Sequence, residues 1–437
     1  MFSNVYICTI HTINYANRYT CHGDAVGLVT AASGLYLPIR GADPVAVYHA
    51  LAEGPGYILE FPDSAITLGF CSEIITLPDD PFDQLRSIST EPPFSPAGYL
   101  GYEGGGRFLI ARDAAIITAE GITLTSRRPL EEAAEKIRRM ADRVLSADLS
   151  SDVPAGSDLP SVLTTTMDRH TFTEGVRRLK SHIRDGDCYQ AVLSRRIDVP
   201  FTGVPLKIYA GLRSGNPSCY GYYLDFGDEQ IAGESPEMLI SATGSTLTTV
   251  PIAGTRPRGS DPIQDDILSA ELLADPKERS EHLMLVDLAR NDIGRVAQFG
   301  SVHVSRYAEV ARYPRVQHIV STVTAESAPG SDGYDALRSC FPAGTVSGAP
   351  KKRAMELIAE EERELRGVYA GAIGFAGREK LAFAITIRTV VIRNSVASVQ
   401  AGAGIVAGSD PDREYDETAI KAEACLRAIA AAVREIS

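Results

Sequence analysis

The chain has no tryptophan among its 437 residues and no apolar run of the roughly 18 residues that a membrane-spanning helix needs. Cysteine is sparse: Cys8, Cys21, Cys71, Cys188, Cys219, Cys340 and Cys425 are scattered and form no C-x-x-C pair. That pattern argues against a disulfide frame or a zinc site and for reduced thiols in a cytoplasmic protein. Positive charge is also short. Lys and Arg total 43 against 56 Asp and Glu, a net charge of −13, so no extended basic surface for nucleic acid is expected. A small anionic substrate is not excluded, since a local basic pocket or a metal can reverse the field at one site. The first residues lack the basic and apolar stretches of a signal peptide. Residues 1–24 read as an extension ahead of periodic β-like sequence that begins near Ala25.

What the chain does have is paired glutamates. Glu278 and Glu281 stand three apart, as do Glu414 and Glu417, in two segments more than a hundred residues from each other. Residues three apart on a helix share a face, so each segment can present two carboxylates in one direction. If the two faces meet, Lys277 and Arg413 offset only part of the charge. Like charges ~5 Å apart at an effective dielectric of ~20 repel by roughly 3 kcal/mol per pair. A hard divalent cation removes that cost. Mg²⁺ suits it, because it takes one or two protein carboxylates and leaves positions for waters and an anionic ligand. The alternative is two solvated helix faces, the usual meaning of an isolated E-x-x-E.

Residues 1–145 read as short strands and turns, including Tyr57 to Phe61 and Pro96 to Gly106, closed by an amphipathic helix over Pro129 to Ser146. Residues 146–165, rich in Ser, Asp, Pro and Gly, read as a linker. From residue 166 to 437 strands outnumber βαβ alternations, which predicts α+β with large antiparallel sheets. A strand is expected over Leu381 to Ile392 and a terminal helix over Asp416 to Glu435.

Within that second region a series of strings arrives in order: GDCYQAVLSRR (Gly186 to Arg196), GESPEM (Gly233 to Met238), PIAGTRPRG (Pro251 to Gly259) and the Asp275 to Val296 run. VQHIVSTV (Val316 to Val323), the Cys340 to Glu356 run, RGVYAGAIG (Arg366 to Gly374), AITIRT (Ala384 to Thr389) and QAGAGIVAGSDP (Gln400 to Pro411) follow. Collinear from residue 168 to 428, they resemble the chorismate-utilising enzymes, most closely anthranilate synthase component I. The resemblance implies a two-sheet antiparallel β-sandwich flanked by helices.

It also implies roles. Glu237 matches the general acid that protonates the departing C4 hydroxyl, a role that needs a raised pKa in a dry site. His318 belongs beside the substrate ring, to orient it or move a proton. Arg388, read on the strand AITIRT, matches the arginine that clamps a substrate carboxylate. Thr255, Thr345, Tyr369 and Lys421 match substrate-binding positions. The small residues Gly402, Ala403 and Gly404 let backbone N–H groups approach an anion. Gly402, Gly404 and Ala407 also fit a weak dinucleotide pattern, but no helix is expected directly after them. The four glutamates become the Mg²⁺ set.

Two positions separate related chemistries. Gln190 stands where relatives that add water to chorismate carry a lysine base, and an amide takes no proton at neutral pH. Ala253 stands where aminodeoxychorismate synthases carry a nucleophilic lysine. Both point to direct amination at C2, giving anthranilate and pyruvate, the first committed step of tryptophan biosynthesis. The alternative is aminodeoxychorismate synthase component I. The resemblance further implies a glutamine amidotransferase subunit supplying ammonia, and a candidate tryptophan effector site at Glu60, Asn216, Pro217 and Ser218. At that site Phe61 and Cys219 stand where relatives have serine and proline.

Overall fold

Many of the strands are near-continuous buried runs, because one face meets the other sheet and the other face meets a helix layer. The computed structural model describes residues 7–8, 28–29, 34–62, 65–150, 162–215, 220–313 and 316–433. Two large sheets dominate. In the 12-stranded sheet the order runs Thr164–Thr165, Gln190–Pro200, Val396–Ile405, Thr389–Arg393, Glu229–Ser235, Tyr220–Asp225, Gly56–Glu60, Ile66–Phe70, Asp113–Ile117, Ile122–Ser126 and Gly34–Leu37. The 10-stranded sheet runs Ile252–Pro257, Val316–Glu326, Thr246–Thr249, Met238–Thr243, Lys380–Ile385, Ala372–Ala376, Ala97–Leu100, Gly106–Ile110 and Glu73–Leu77. The two-residue strand Gly348–Ala349 pairs onto Gln190–Pro200 and the ten-residue strand His303–Arg312 onto Val316–Glu326. Every pairing in both sheets is antiparallel.

The sheets pack face to face over a core of Tyr57, Leu59, Tyr99, Leu109, Tyr222, Leu224, Ile231, Ile373 and Ala384, drawn from both. Helices cover the outer faces. Pro44–Leu51, Leu130–Ser146, Pro205–Gly215 and Pro411–Val433 bury Val47, Met140, Ile208 and Ile429 against the first sheet. Phe82–Ile88, Pro276–Gly294 and Gly333–Cys340 bury Leu85, Val286 and Leu337 against the second. The expected fold class is therefore the observed one.

Strands from residues 34–126 hydrogen-bond to strands from the second region in both sheets, at Gly56–Glu60 with Tyr220–Asp225 and at Ala97–Leu100 with Ala372–Ala376. The two regions thus share a single pair of sheets. Of the expected linker, residues 151–161 lie outside the described residues, as does most of the expected extension over residues 1–24. Among the described residues no helix is long and apolar enough to cross a membrane.

Three local expectations are corrected. The strand read over Leu381 to Ile392 is two strands, Lys380–Ile385 in the second sheet and Thr389–Arg393 in the first. Arg388 lies between them with φ 50°, a left-handed corner residue and not a strand residue. The terminal helix begins at Pro411, not Asp416, so a helix does open soon after the glycine run. Gly402 and Gly404 sit inside the strand Val396–Ile405 and not in the loop that leads to that helix, which leaves no dinucleotide-type turn.

Candidate active site

The chain crosses between the two sheets twice in neighbouring places, and chemistry-bearing residues sit at both crossings. Glu229–Ser235 belongs to the first sheet and Met238–Thr243 to the second; Glu237 is the corner between them. Arg388 is the other corner. The two are stitched together by backbone bonds: Ile385 N donates to Glu237 O at 3.0 Å and Glu234 N donates to Arg388 O at 3.3 Å. Those bonds hold Arg388 in a backbone region that residues other than glycine rarely occupy.

Burial is the main reason Glu237 keeps its proton up to about 7, with the Thr345 hydroxyl and the Lys421 and Arg388 cations acting in the opposite direction. Thr345 Oγ1 is buried, and the Glu237 carboxyl is the group it acts on. A cavity of about 40 Å³ opens beside these two groups, walled by Leu285, Leu288, Ala343 and Ile385. Arg388 is half-buried, and its guanidinium makes no hydrogen bond or ion pair with the described residues. An unpaired, partly desolvated arginine is poised for an anion.

The glycine run forms the next wall. Val396–Ile405 pairs with Gln190–Pro200 along its length, but on its other side the ladder stops at Val390 opposite Val399. Val192 N and Ser194 N donate to Ser347 O at 2.9 Å and Glu362 Oε1 at 2.7 Å, away from the strand opposite. In an antiparallel ladder their partners Gly404 and Gly402 then turn their own N–H and C=O groups to the unpaired edge. Lys421 Nζ donates to Gly402 O at 3.0 Å on that edge. A side chain on either glycine would have to push a neighbour aside: a β-carbon on Gly402 would lie 2.8 Å from the Tyr369 hydroxyl, and one on Gly404 would lie 2.8 Å from Gln190 Nε2. Tyr369, Gln190, Gly402, Gly404, Lys421 and Arg388 therefore converge on one gap in the first sheet, with free amides and two cations, while Ala403 pairs with Leu193 and packs its side chain into the core on the opposite face.

His318 comes from the second sheet. Its Nδ1 donates to Gly254 O at 2.8 Å and lies 3.1 Å from Thr255 Oγ1, which fixes the proton on that nitrogen. Burial, with Arg388 in support, holds the ring below its ordinary pKa against the Gly254 bond, so it is neutral with a free Nε2 lone pair.

The two glutamate pairs face each other. Glu281 is raised by burial, then by Glu278 and by Glu417 across the gap, against Lys277 and Lys421. Glu414 is raised by burial and by Glu417, opposed by a Ser409 hydrogen bond and the same two lysines. The offsetting cations are thus Lys277 and Lys421, while Arg413 is exposed, its amide capped by Asp410. Lys421 lies 2.7 Å from Glu417 and Arg256 lies 3.3 Å from Glu278. With those pairs made, no three His, Cys, Asp or Glu side chains close into a metal-holding group among the described residues. The donor chemistry still fits Mg²⁺, whose demand is one or two protein carboxylates beside waters, and the crowded, desolvated charge favours a divalent cation.

Sequence reasoning missed Glu234. It is buried, its Oε2 has no hydrogen-bond partner among the described residues, and burial followed by the nearby Glu60 carboxylate raises it to about 8. Only its place in GESPEM, next to Glu237, signalled it. Of the candidate effector residues, Glu60 accepts from Tyr209 and from Arg213 Nε at 2.6 Å. Asn216, Pro217 and Ser218 lie outside the described residues.

Residues 86–427 match the model of the chorismate binding enzyme family. Anthranilate synthase component 1 of Streptomyces coelicolor is 44% identical over 395 residues, 80% of this chain and 77% of that protein. The Aquifex aeolicus protein of the same name is 51% identical over 262 residues, which span 60% of this chain and 53% of the relative. The crystal structure of anthranilate synthase component I from Streptococcus pneumoniae superposes with a TM-score of 0.73 at 33% identity, covering 94% of this chain and 96% of that one.

Proposed function

Because the chain belongs to the chorismate-binding enzymes, we propose that it is the aminase component of an anthranilate synthase, converting chorismate and ammonia to anthranilate, pyruvate and water. The observation that carries the reading is the pairing at the two sheet corners: a buried carboxyl that holds its proton to about 7 stands beside an arginine with no partner among the described residues. The first supplies an acid, the second a seat for a carboxylate.

In this reading Arg388, Lys421 and the free amides of Gly402 and Gly404 hold the enolpyruvyl carboxylate, with the Tyr369 hydroxyl against the same gap. Ammonia adds at C2 as the C4 hydroxyl leaves, taking its proton from Glu237. Loss of the C2 proton and of the enolpyruvyl group as pyruvate then restores the aromatic ring. His318 Nε2, kept as an acceptor by the Nδ1 bond to Gly254, stands ready to take a proton near the ring. Thr255 and Thr345 complete the polar contacts. Glu281 and Glu417, with Glu278 and Glu414 beside them, would hold Mg²⁺, which when bound supplies positive charge for the ring carboxylate. Ala253 is nearly buried and offers no nucleophile, which favours anthranilate over aminodeoxychorismate as product.

Ammonia is proposed to come from a separate glutamine amidotransferase subunit, as the resemblance to the chorismate-utilising enzymes implies. Tryptophan is proposed to act at Glu60 as a feedback ligand, weakened by Phe61. Incubation with chorismate, Mg²⁺ and ammonium should give anthranilate fluorescence. Accumulation of 4-amino-4-deoxychorismate, or no turnover of chorismate, would overturn the assignment.

A further inference from the structure

The carboxylates Glu414 and Glu417 flank an aromatic ring that two guanidinium groups engage. Tyr415 lies in the first turns of the helix Pro411–Val433. The guanidinium carbon of Arg195 stands 4.2 Å from its ring centroid and that of Arg169 stands 4.4 Å from it. Phe172 meets the same ring edge-on at 5.7 Å. Arg169 is half-exposed and pairs with Asp412 at 3.1 Å and with Asp416, so it has ample reason to lie on this helix.

Arg195 is different. It comes from the strand Gln190–Pro200, is 5% exposed, and makes no ion pair among the described residues. A buried guanidinium without a carboxylate is costly unless other groups replace its water. Here they are the Tyr415 ring face, a long 3.5 Å bond from Nη1 to Thr165 Oγ1, and Thr418, whose Oγ1 accepts from Arg195 Nε at 2.7 Å and donates to Tyr415 O at 2.7 Å. Tyr415 and Thr418 are three apart and share one face of the helix; Glu414 and Glu417 share the adjacent face. Gripping two positions one turn apart fixes both the rotation of the helix about its axis and its slide along it. The Tyr415 hydroxyl takes part in no hydrogen bond among the described residues, so the ring is the working group.

We propose that Arg195, acting through the Tyr415 ring and Thr418, is a positioning residue that sets where Glu414 and Glu417 stand relative to Glu278 and Glu281. The inference rests on the reading of those four as the metal set. It assigns a reason for an arginine in the middle of a sheet strand that the substrate-binding reading leaves without one.

The probe is Mn²⁺, titrated by electron paramagnetic resonance with and without chorismate and with ammonia left out, on the full chain. Arg195→Met and Tyr415→Leu should each bind Mn²⁺ ~10-fold or more weakly, as loss of an outer support for metal ligands does. Their kcat at saturating metal should hold at the parent value, while Tyr415→Phe, which keeps the ring, should bind as the parent does. Parent-like Mn²⁺ binding by Arg195→Met and Tyr415→Leu would overturn the positioning role while leaving the metal reading intact. Equal damage from Tyr415→Phe and Tyr415→Leu would overturn the ring contact. Absence of Mn²⁺ binding by the parent, indistinguishable from Glu281→Gln and Glu417→Gln, would remove the metal reading and this inference with it. If Arg195→Met does not fold, the two Tyr415 variants decide the matter between them.

Discussion

Gly404 has no side chain because Gln190 occupies its place: the amide nitrogen of Gln190 stands 2.8 Å from where a Gly404 β-carbon would be. The backbone of Gly404 is ordinary extended strand, so alanine there meets no conformational penalty, only the far end of a side chain that can move. Gly404→Ala should therefore fold with a melting temperature close to the parent. It should still lose activity, because the displaced Gln190 amide would intrude on the gap that seats the substrate. A misplacement of about 1 Å near reacting groups can cost ~10²-fold in rate. Steady-state kinetics with chorismate and ammonium would check this, and parent-like kcat/KM would contradict the packing argument.

Gln190→Lys replaces an amide with a group that can act as a base once desolvated. The position is buried, so part of the lysine population should be neutral. The variant should stay folded and release some isochorismate, the product of water addition, alongside reduced anthranilate. Chromatography of the products settles it. Total absence of isochorismate would mean that the residue at 190 does not choose the nucleophile.

How much of this site was readable in advance differs from residue to residue. The paired glutamates were legible because their spacing carries chemistry, whereas Glu237 and His318 were legible only through the resemblance of the strings that hold them. Arg388 was legible as a residue but not as a place. AITIRT alternates like one strand, and nothing local says that the chain changes sheets at Arg388, since the corner is enforced by the Glu237 and Glu234 backbone bonds from another segment. The free edge at Gly402 and Gly404 was likewise invisible, because it depends on where Thr389–Arg393 stops pairing. Arg195 in LSRR carries no local signal that separates it from any other charged strand residue. Its aromatic partner is over two hundred residues away, and contacts of that range leave no periodic trace.

Glu237 links catalysis to stability with opposite signs. Its carboxyl is raised from 4.5 to about 7 chiefly by burial, so the folded chain holds a proton there that the unfolded chain has released. The stabilising share is complete below the unfolded value and is lost as pH rises through the folded one. By pH 8.5 the ionised, buried carboxylate costs on the order of 3 kcal/mol. Glu237→Gln removes that cost, so urea unfolding should show the variant more stable than the parent at pH 8.5 and about equal at pH 5. Its kcat should fall by ~10²–10⁴-fold, the range for loss of a general acid. In the parent, kcat at a fixed concentration of free ammonia should decline above pH ~7, as expected when the acid must be protonated. A flat profile together with unchanged stability in the variant would remove Glu237 from the acid role.

Phe61 bears on feedback. It is buried and packs edge-on against Tyr220 at 5.1 Å and against Phe375 at 6.0 Å, directly after Glu60 in the chain. The Glu60 carboxylate is already held by Arg213 and Tyr209. An amino-acid effector seeking that carboxylate with its ammonium group would have to displace a charge-assisted hydrogen bond beside a ring that fills the neighbouring space. The parent should therefore respond to tryptophan only at millimolar concentration. Phe61→Ser opens the space and should sharpen the response at least tenfold, at a stability cost of roughly 3 kcal/mol or more for the lost aromatic packing. The measurement is anthranilate formation against tryptophan concentration for both chains, with thermal melting of each in parallel. Micromolar inhibition of the parent would show that the phenyl ring is no barrier, and that the effector enters by a route that leaves Phe61 in place.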